Sequence, residues 1–564
     1  MQFGKLIFIT SVFAATIALT QGSAEAATFT VSKGGALGTI QEGIDAAGAG
    51  DTVVVESGVY QENVLIDGTH DGLELKAKGK VTIEARPAGG LGAGPGIQVQ
   101  AMNVSISGFL IQNADSNGVS LLGHGILCDQ PGLSVRKCTF QGNGSDAINV
   151  TNGTGITVDK CAFRGNRSNA IDVTGDNVSV TKCEARNCDG NLADINGNNA
   201  MVVRNRTFAM HSSDVDITGD NATVEKNRFT ACEGSTSINI QGATALVRKN
   251  TIRSCDGSGI EIDGSGDDSK VEENDIQNCN GTGIHLDGNN LVVNKNKIDG
   301  TAGDGIEVNG NDAVVTRNEI TSIDNIGIDL DGSGATISNN KISHSRNDDG
   351  IEVTLGDNAL IHKNKIEHTY NNFIDFNGLN PMITQNKGSF AFSDGDGIAV
   401  GGFPISGLIE DNVIDFATDR GIFTDSSTSG LMIRNNKVTH TGNSPAEHGF
   451  EIRGTGHTLS GNVSNDNGGD GFHVPGTGIM LEDNLAKNNS HDGIDVEGDN
   501  GVISNNKTIR NGAEGFENNG DNANITNNVS KKNRIDCAND GTNVTFSGNT
   551  CGDGSDESTL PEID

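Results

Sequence analysis

A short phrase of alternating apolar and polar residues recurs along this chain, and its central residue is placed where chemistry could be done. The phrase reads DAINV, NAIDV, SGIEI, TGIHL, DGIEV, IGIDL and, near residue 494, DGIDV. In most repeats the centre is an acid: Asp172, Asp194, Asp216, Glu261, Glu307, Asp329, Glu352, Asp375, Glu451, Asp495 and Glu517. Asp and Glu supply only 74 of 564 residues, so composition alone does not produce this column. The densest run is Glu261, Asp263, Asp287, Glu307, Asp329, Asp331 and Glu352. Carboxylates in such number are the ligands that hard cations take, and calcium is the expected ion. Like charges about 5 Å apart repel by roughly 1 kcal/mol per pair in water and by more where water is excluded. Such a ladder therefore needs a cation, raised pKa values or a ligand. The plainer alternative is a charged face that keeps an exposed sheet soluble.

A second set is chemically mixed. Glu451, His473 and Asp495 share the same central position in successive repeats, and Arg453 lies two residues beyond Glu451. Arg420, Asp425, His448, Asp470 and Asp492 surround them in sequence, next to the insertion NSPAE that stretches one repeat to 28 residues. Carboxylate, imidazole and guanidinium together suit general acid–base catalysis, which an all-acid ladder does not. Glu451, Arg453, His473 and Asp495 are the expected catalytic residues. An ordinary loop with scattered surface charges is the alternative.

The elements that must position these groups follow from the period. The first apolar residue of the phrase falls at Ile148, Ile171, Ile238, Ile260, Ile284, Ile306 and onward to Phe516, every 22 to 24 residues. A fixed period of this size implies a solenoid whose coils bury a core only by stacking. Alternation makes the phrase a strand with both apolar residues inward and the central one outward. A right-handed parallel β-helix of about 20 coils, all-β but for a short N-terminal helix, is the expected fold. Glycine often precedes the phrase and should leave an open strip beside the acids. An Asn follows each phrase, often after Lys or Arg, as at Lys226-Asn227, Lys295-Asn296 and Arg317-Asn318. Asn tolerates the left-handed conformation of a sharp turn, and its amide can bond to the Asn of the next coil. Cys138, Cys161 and Cys183 occupy that register, and Cys188, Cys232, Cys255 and Cys279 form a second column. These read as buried thiols, with bridges within the stack or a metal site as alternatives. Cys537 and Cys551 read as a disulfide staple near the end.

Composition agrees with a thin core: 34% hydrophobic, 4% aromatic, no Trp and 78 Gly. The net charge of −35 argues against nucleic acid and favours divalent cations as partners. Residues 1–26 read as a secretory leader, with Lys5, an apolar run from Leu6 to Leu19 and a small-x-small site at Ala24-Glu25-Ala26. The protein is expected to be extracellular or periplasmic, and no other segment has the length to span a bilayer. The remaining divisions are 27–113 for the N-terminal cap and first coils, 114–530 for the repeats and 531–564 for a C-terminal cap or tail.

Ile40, Ile44 and Ala47 have the spacing of a short amphipathic helix that would close the core's open end. That helix, then GDTVVV at 50–55 and GVYQENV at 58–64, resembles the start of the pectate-lyase-like parallel β-helix superfamily. The resemblance implies the fold and, as a function, binding or cleavage of a polysaccharide by a lyase, epimerase or hydrolase. It also admits a non-catalytic surface or matrix protein with a calcium-binding acidic face. Signatures of particular enzyme families are missing. Gly123-His124-Gly125 and Asp348-Asp349 stand in the reverse of the polygalacturonase order, no RIK follows, and no DPHE occurs. The sequence names neither the sugar nor the oligomeric state.

Overall fold

The computed structural model describes residues 26–85, 94–114, 123–234, 236–264, 266–403 and 406–552. The proposed leader therefore lies almost wholly outside the described residues. The repeats form a parallel β-solenoid in which one coil contributes three short strands, for example Ile306–Asn309, Val314–Thr316 and Glu319–Ile323. The first strands pair in register, so that Ile238, Ile260, Ile284, Ile306, Ile328 and Ile351 sit one above another. This sheet runs from Val64–Ile66 to Ile535–Asn539. The other strands of the coils join a 42-stranded sheet.

The register dictates the core. Within phrases such as Ile306–Asn309 and Ile328–Asp331 the two apolar residues are fully buried and the central residue faces out, as alternation requires. Ile, Val and occasional Phe columns fill the lumen, with Phe140 stacked on Phe163 and Phe450 on Phe472. Each such side chain contributes about 1.5–3 kcal/mol by leaving water, but only because the coil beneath covers it. A helix at Ile40–Asp45 closes one end with Ile40 and Ile44 buried. Thr39 and Glu42 form a reciprocal capping box at its start. Among the described residues no helix is long and apolar enough to cross a membrane.

The Asn ladder is present, with a correction to its backbone. From Asn205 to Asn549 each amide donates to the Oδ1 of the next Asn, at 3.0 Å for Asn296 beneath Asn274 and 3.1 Å for Asn318 beneath Asn296. The same Oδ1 accepts the preceding Asn's main-chain N–H, and each Nδ2 reaches a core carbonyl such as Val271 O at 2.8 Å. The left-handed residue is not the Asn but the one before it: Lys226, Lys295 and Arg317 have φ near 57°. The Asn is turned inward and buried because its three bonds are made there.

Two further expectations change. Where glycine precedes the phrase it does not open a strip. A Cβ on Gly305 would stand 2.5 Å from both Gly327 O and Ile320 Cγ2, so glycine is required there for close packing. Cys255 and Cys279 are bridged, since adjacent coils bring their Cα atoms to 4.5 Å. Cys138, Cys161, Cys183 and Cys188 are buried thiols. Cys537 and Cys551 form the expected staple.

Candidate functional site

The acidic run lies on one outward column. Glu261, His285, Glu307, Asp329 and Glu352 are consecutive register partners. One histidine sits among these carboxylates. His285 Nδ1 lies 2.9 Å from Glu307, and its Nε2 lies 3.4 Å from Asp287 and 3.7 Å from Asp263. Burial opposes the imidazolium, but the bond and charge of Glu307 and the charges of Asp287 and Asp263 outweigh it and raise its pKa. Protonation supplies the rest. Burial and then the Glu261 carboxylate push Asp263 up to about 6. Burial and then Asp304 push Asp329 up to about 7. Asp349, beside the column, is pushed up to about 8 by burial and then Asp375. Asp263, His285 and Asp287 bring three ligand atoms within 4.8 Å, a grouping that could hold an ion. Glu307 joins it through His285, whereas Glu261 is bonded by Thr236 and Asp331 is exposed one position further on.

The mixed set converges, and more tightly than expected. Glu451, His473 and Asp495 are register partners on successive coils. Glu451 and Asp495 are not open to water, however, with only 5% and 7% of their surface exposed. Glu451 is clamped between two guanidiniums: Oε1 lies 2.6 Å from Arg453, and Oε2 lies 3.3 Å from Arg420. Arg420 also binds Asp396 with two nitrogens, at 2.9 and 3.1 Å, and stacks on Phe423 with its guanidinium carbon 3.7 Å from the ring centre. Glu451 thus holds Arg453 in place. Asp425 is turned away into its own loop, where Ser427 N–H caps it at 2.8 Å.

Behind this clamp lies a network of imidazoles and carboxylates. Asp470 is at its centre: Oδ2 is 3.1 Å from His448 Nδ1 and 3.7 Å from His473 Nδ1, and Oδ1 is 2.7 Å from His491 Nδ1. Burial works against the Asp470 charge, but the bonds and charge of His448 and the other donors prevail and lower its pKa. His473 Nδ1 also meets Asp495 Oδ2 at 3.2 Å, and its ring stacks on His448. The Asp495 and Asp470 carboxylates overcome burial and raise the His473 pKa. Asp492 is pushed up to about 8 by burial and then by its hydrogen bond with Glu514. Beside His473 opens a cleft of about 460 Å³ lined by Arg453, Thr455, Pro475, Thr477 and Glu497.

Asp396, His491 and Glu497 escape a reading confined to the centre of the phrase. Asp396 belongs to a second column, two residues ahead of the first apolar residue, that also holds Asp349, Arg420, His448, Asp470, Asp492 and Glu514. This column is visible in the sequence. Its members cap the next coil: Asp470 Oδ1 accepts Asp492 N–H at 2.8 Å, and Asp492 Oδ1 accepts Glu514 N–H at 2.6 Å.

The profile of the family described as "Right handed beta helix region" matches residues 124–239, 176–314, 304–446 and 427–556. No curated protein matches the chain. Solved structures resemble it at low identity. The A-module of the mannuronan C-5 epimerase AlgE4 from Azotobacter vinelandii is 13% identical, with 72% of this chain and 99% of that one covered and a TM-score of 0.26. The PL6 family alginate lyase AlyGC is 9% identical over 93% of this chain and all of that one, with a TM-score of 0.27. PfbA, a surface adhesin of Streptococcus pneumoniae, is 13% identical over 67% and 87%, with a TM-score of 0.26.

Proposed function

Since this chain belongs to the right-handed β-helix family, its coils offer one long strand face, and we propose that this face binds and acts on a polysaccharide at the cleft beside His473. The observation that carries the reading is the convergence there of Arg453, held by Glu451, with the imidazole–carboxylate network around His473. These groups move protons and meet negative charge near neutral pH. A carboxylate-pair hydrolase needs two carboxyls free to reach the glycosidic bond. Glu451 is engaged by two arginines and Asp495 by His473, so the arrangement favours lyase or epimerase chemistry on a uronate. In that chemistry Arg453 meets the sugar carboxylate while the network around His473 takes the C5 proton; the electron pair then either expels the C4 oxygen, which is protonated as it leaves, or is reprotonated at C5 from the other face. The chain is exported in this reading, and the two disulfides favour an oxidising compartment.

Release of unsaturated or reducing ends, and C5 epimerisation by NMR, are to be measured on pectate, alginate, chondroitin and neutral glycans. Unsaturated or epimerised product from a uronate polymer is expected, with loss in Arg453→Ala. Equal activity in Arg453→Ala, or silence on every polymer, contradicts the reading. The second reading, a calcium-binding acidic face without catalysis, rests on the Asp263, His285 and Asp287 grouping. It expects millimolar calcium to raise Tm, and an unmoved Tm removes it.

A further inference from the structure

We propose that the network behind the cleft is a binding site for one divalent metal of the zinc, cobalt or manganese class, held by His448, Asp470 and His473 with Asp495 beside them. His448 Nδ1 or Nε2, an Asp470 oxygen and a His473 nitrogen lie within 4.8 Å of one another. The donors come from adjacent coils whose register is fixed by strand pairing, so the site is rigid. His448 and Asp470 are almost fully buried, whereas His473 reaches the cleft, which leaves one side open to a further ligand.

A second observation lies next to the site, at a carboxylate that shares His473 with it but groups with neither His448 nor Asp470. Asp495 is 93% removed from solvent and its Oδ2 is bonded to His473, yet its Oδ1 is buried with no hydrogen-bond partner. An orphaned buried carboxylate oxygen is costly, and a cation would satisfy it. The same carboxylate enters two further groupings, with His473 and Glu497 and with Asp492 and Glu517.

The donor set selects the ion. Imidazole with carboxylate suits borderline dications, whereas calcium takes six to eight oxygens. Bond lengths of about 2.0–2.2 Å require the donors to draw in by roughly 1 Å, within reach of side-chain rotation on a fixed sheet. This differs in place from the Asp263, His285 and Asp287 grouping and in ion from the calcium expected along Glu261–Glu352. It rests on the cleft reading only for its consequence: His473 becomes a ligand rather than the proton acceptor, and the cation joins Arg453 in meeting a sugar carboxylate. The metal site itself needs no sugar.

The full chain, stripped with a chelator, is to be titrated calorimetrically with Zn²⁺ and with Ca²⁺, and with Co²⁺ under visible spectroscopy. We expect one Zn²⁺ per chain with Kd in the micromolar range or tighter, and weaker Ca²⁺ binding there. His448→Gln and His473→Gln should each weaken Zn²⁺ at least about tenfold, while His362→Gln leaves it unchanged. Absent Zn²⁺ binding, tighter Ca²⁺ binding, or equal affinity in the His448→Gln and His473→Gln chains overturns the proposal. If those variants fail to fold, the wild-type Co²⁺ spectrum decides. Intense visible bands of an imidazole-ligated ion support the site, and the spectrum of hydrated Co²⁺ overturns it. Metal binding without sugar activity sinks only the function reading; sugar activity without metal sinks only this one.

Discussion

Arg420 ties three carboxylates together. It joins Asp396, Asp419 and Glu451 and lies on Phe423. Arg420→Ala leaves Asp396 and Glu451 buried with fewer partners, so a loss of about 3–5 kcal/mol is expected in denaturant unfolding. A cost below about 1 kcal/mol would show that water replaces the guanidinium. Arg420→Lys should recover part of the loss, because an ammonium cannot match the two-nitrogen contact with Asp396. The central residues of the phrase were legible in the sequence as an outward column, and the convergence of Glu451, His473 and Asp495 followed from period alone. Their burial was not legible. It comes from Arg420 and Phe423 covering Glu451, and from the second column two residues ahead, whose members fill the space between coils.

At the scale of the strand and turn, the Asn ladder carries what the short strands cannot. Asn318 Oδ1 accepts both the main-chain N–H of Asn296 at 2.9 Å and its amide at 3.1 Å. Asn318→Ala strands two buried donors, and about 1–3 kcal/mol is expected for each. Hydrogen exchange at Asn296 N–H should rise with it. Unchanged protection there would mean that the ladder is incidental. Gly327→Ala tests the packing of the phrase, since its Cβ would meet Gly350 O and Ile342 Cγ2 at 2.5 Å. Sequence read these elements well because both follow one period. It misplaced the left-handed residue because Lys and Asn are adjacent and share that period. Only the inward bonds of the Asn show which of the two must adopt the turn. The Cys255–Cys279 bridge was hidden for a similar reason: column membership does not say which neighbours bond.

Over the whole molecule, an acidic solenoid of net charge −35 tolerates its stacked carboxylates by protonating some of them. Burial first, then neighbouring acids, push Asp172 up to about 6 and Asp349 up to about 8, and burial pushes Asp214 up to about 7. Each folded-state value lies above the unfolded one. Stability from these groups is therefore full below about pH 4 and lost as pH rises through 6 to 8. His285, also raised, acts in the same direction over the upper part of that window. Tm should be highest at mildly acidic pH and fall by several degrees toward about pH 8.5, with divalent cations restoring part of the loss. A Tm that climbs across this range would contradict the raised values. Whether the cleft beside His473 or the acidic ladder is the reacting centre is decided by comparing two histidines on one uronate polymer. Product release by His473→Ala should fall about 10²-fold or more while His285→Ala stays near wild type. The reverse order, or equal rates in both, would contradict it.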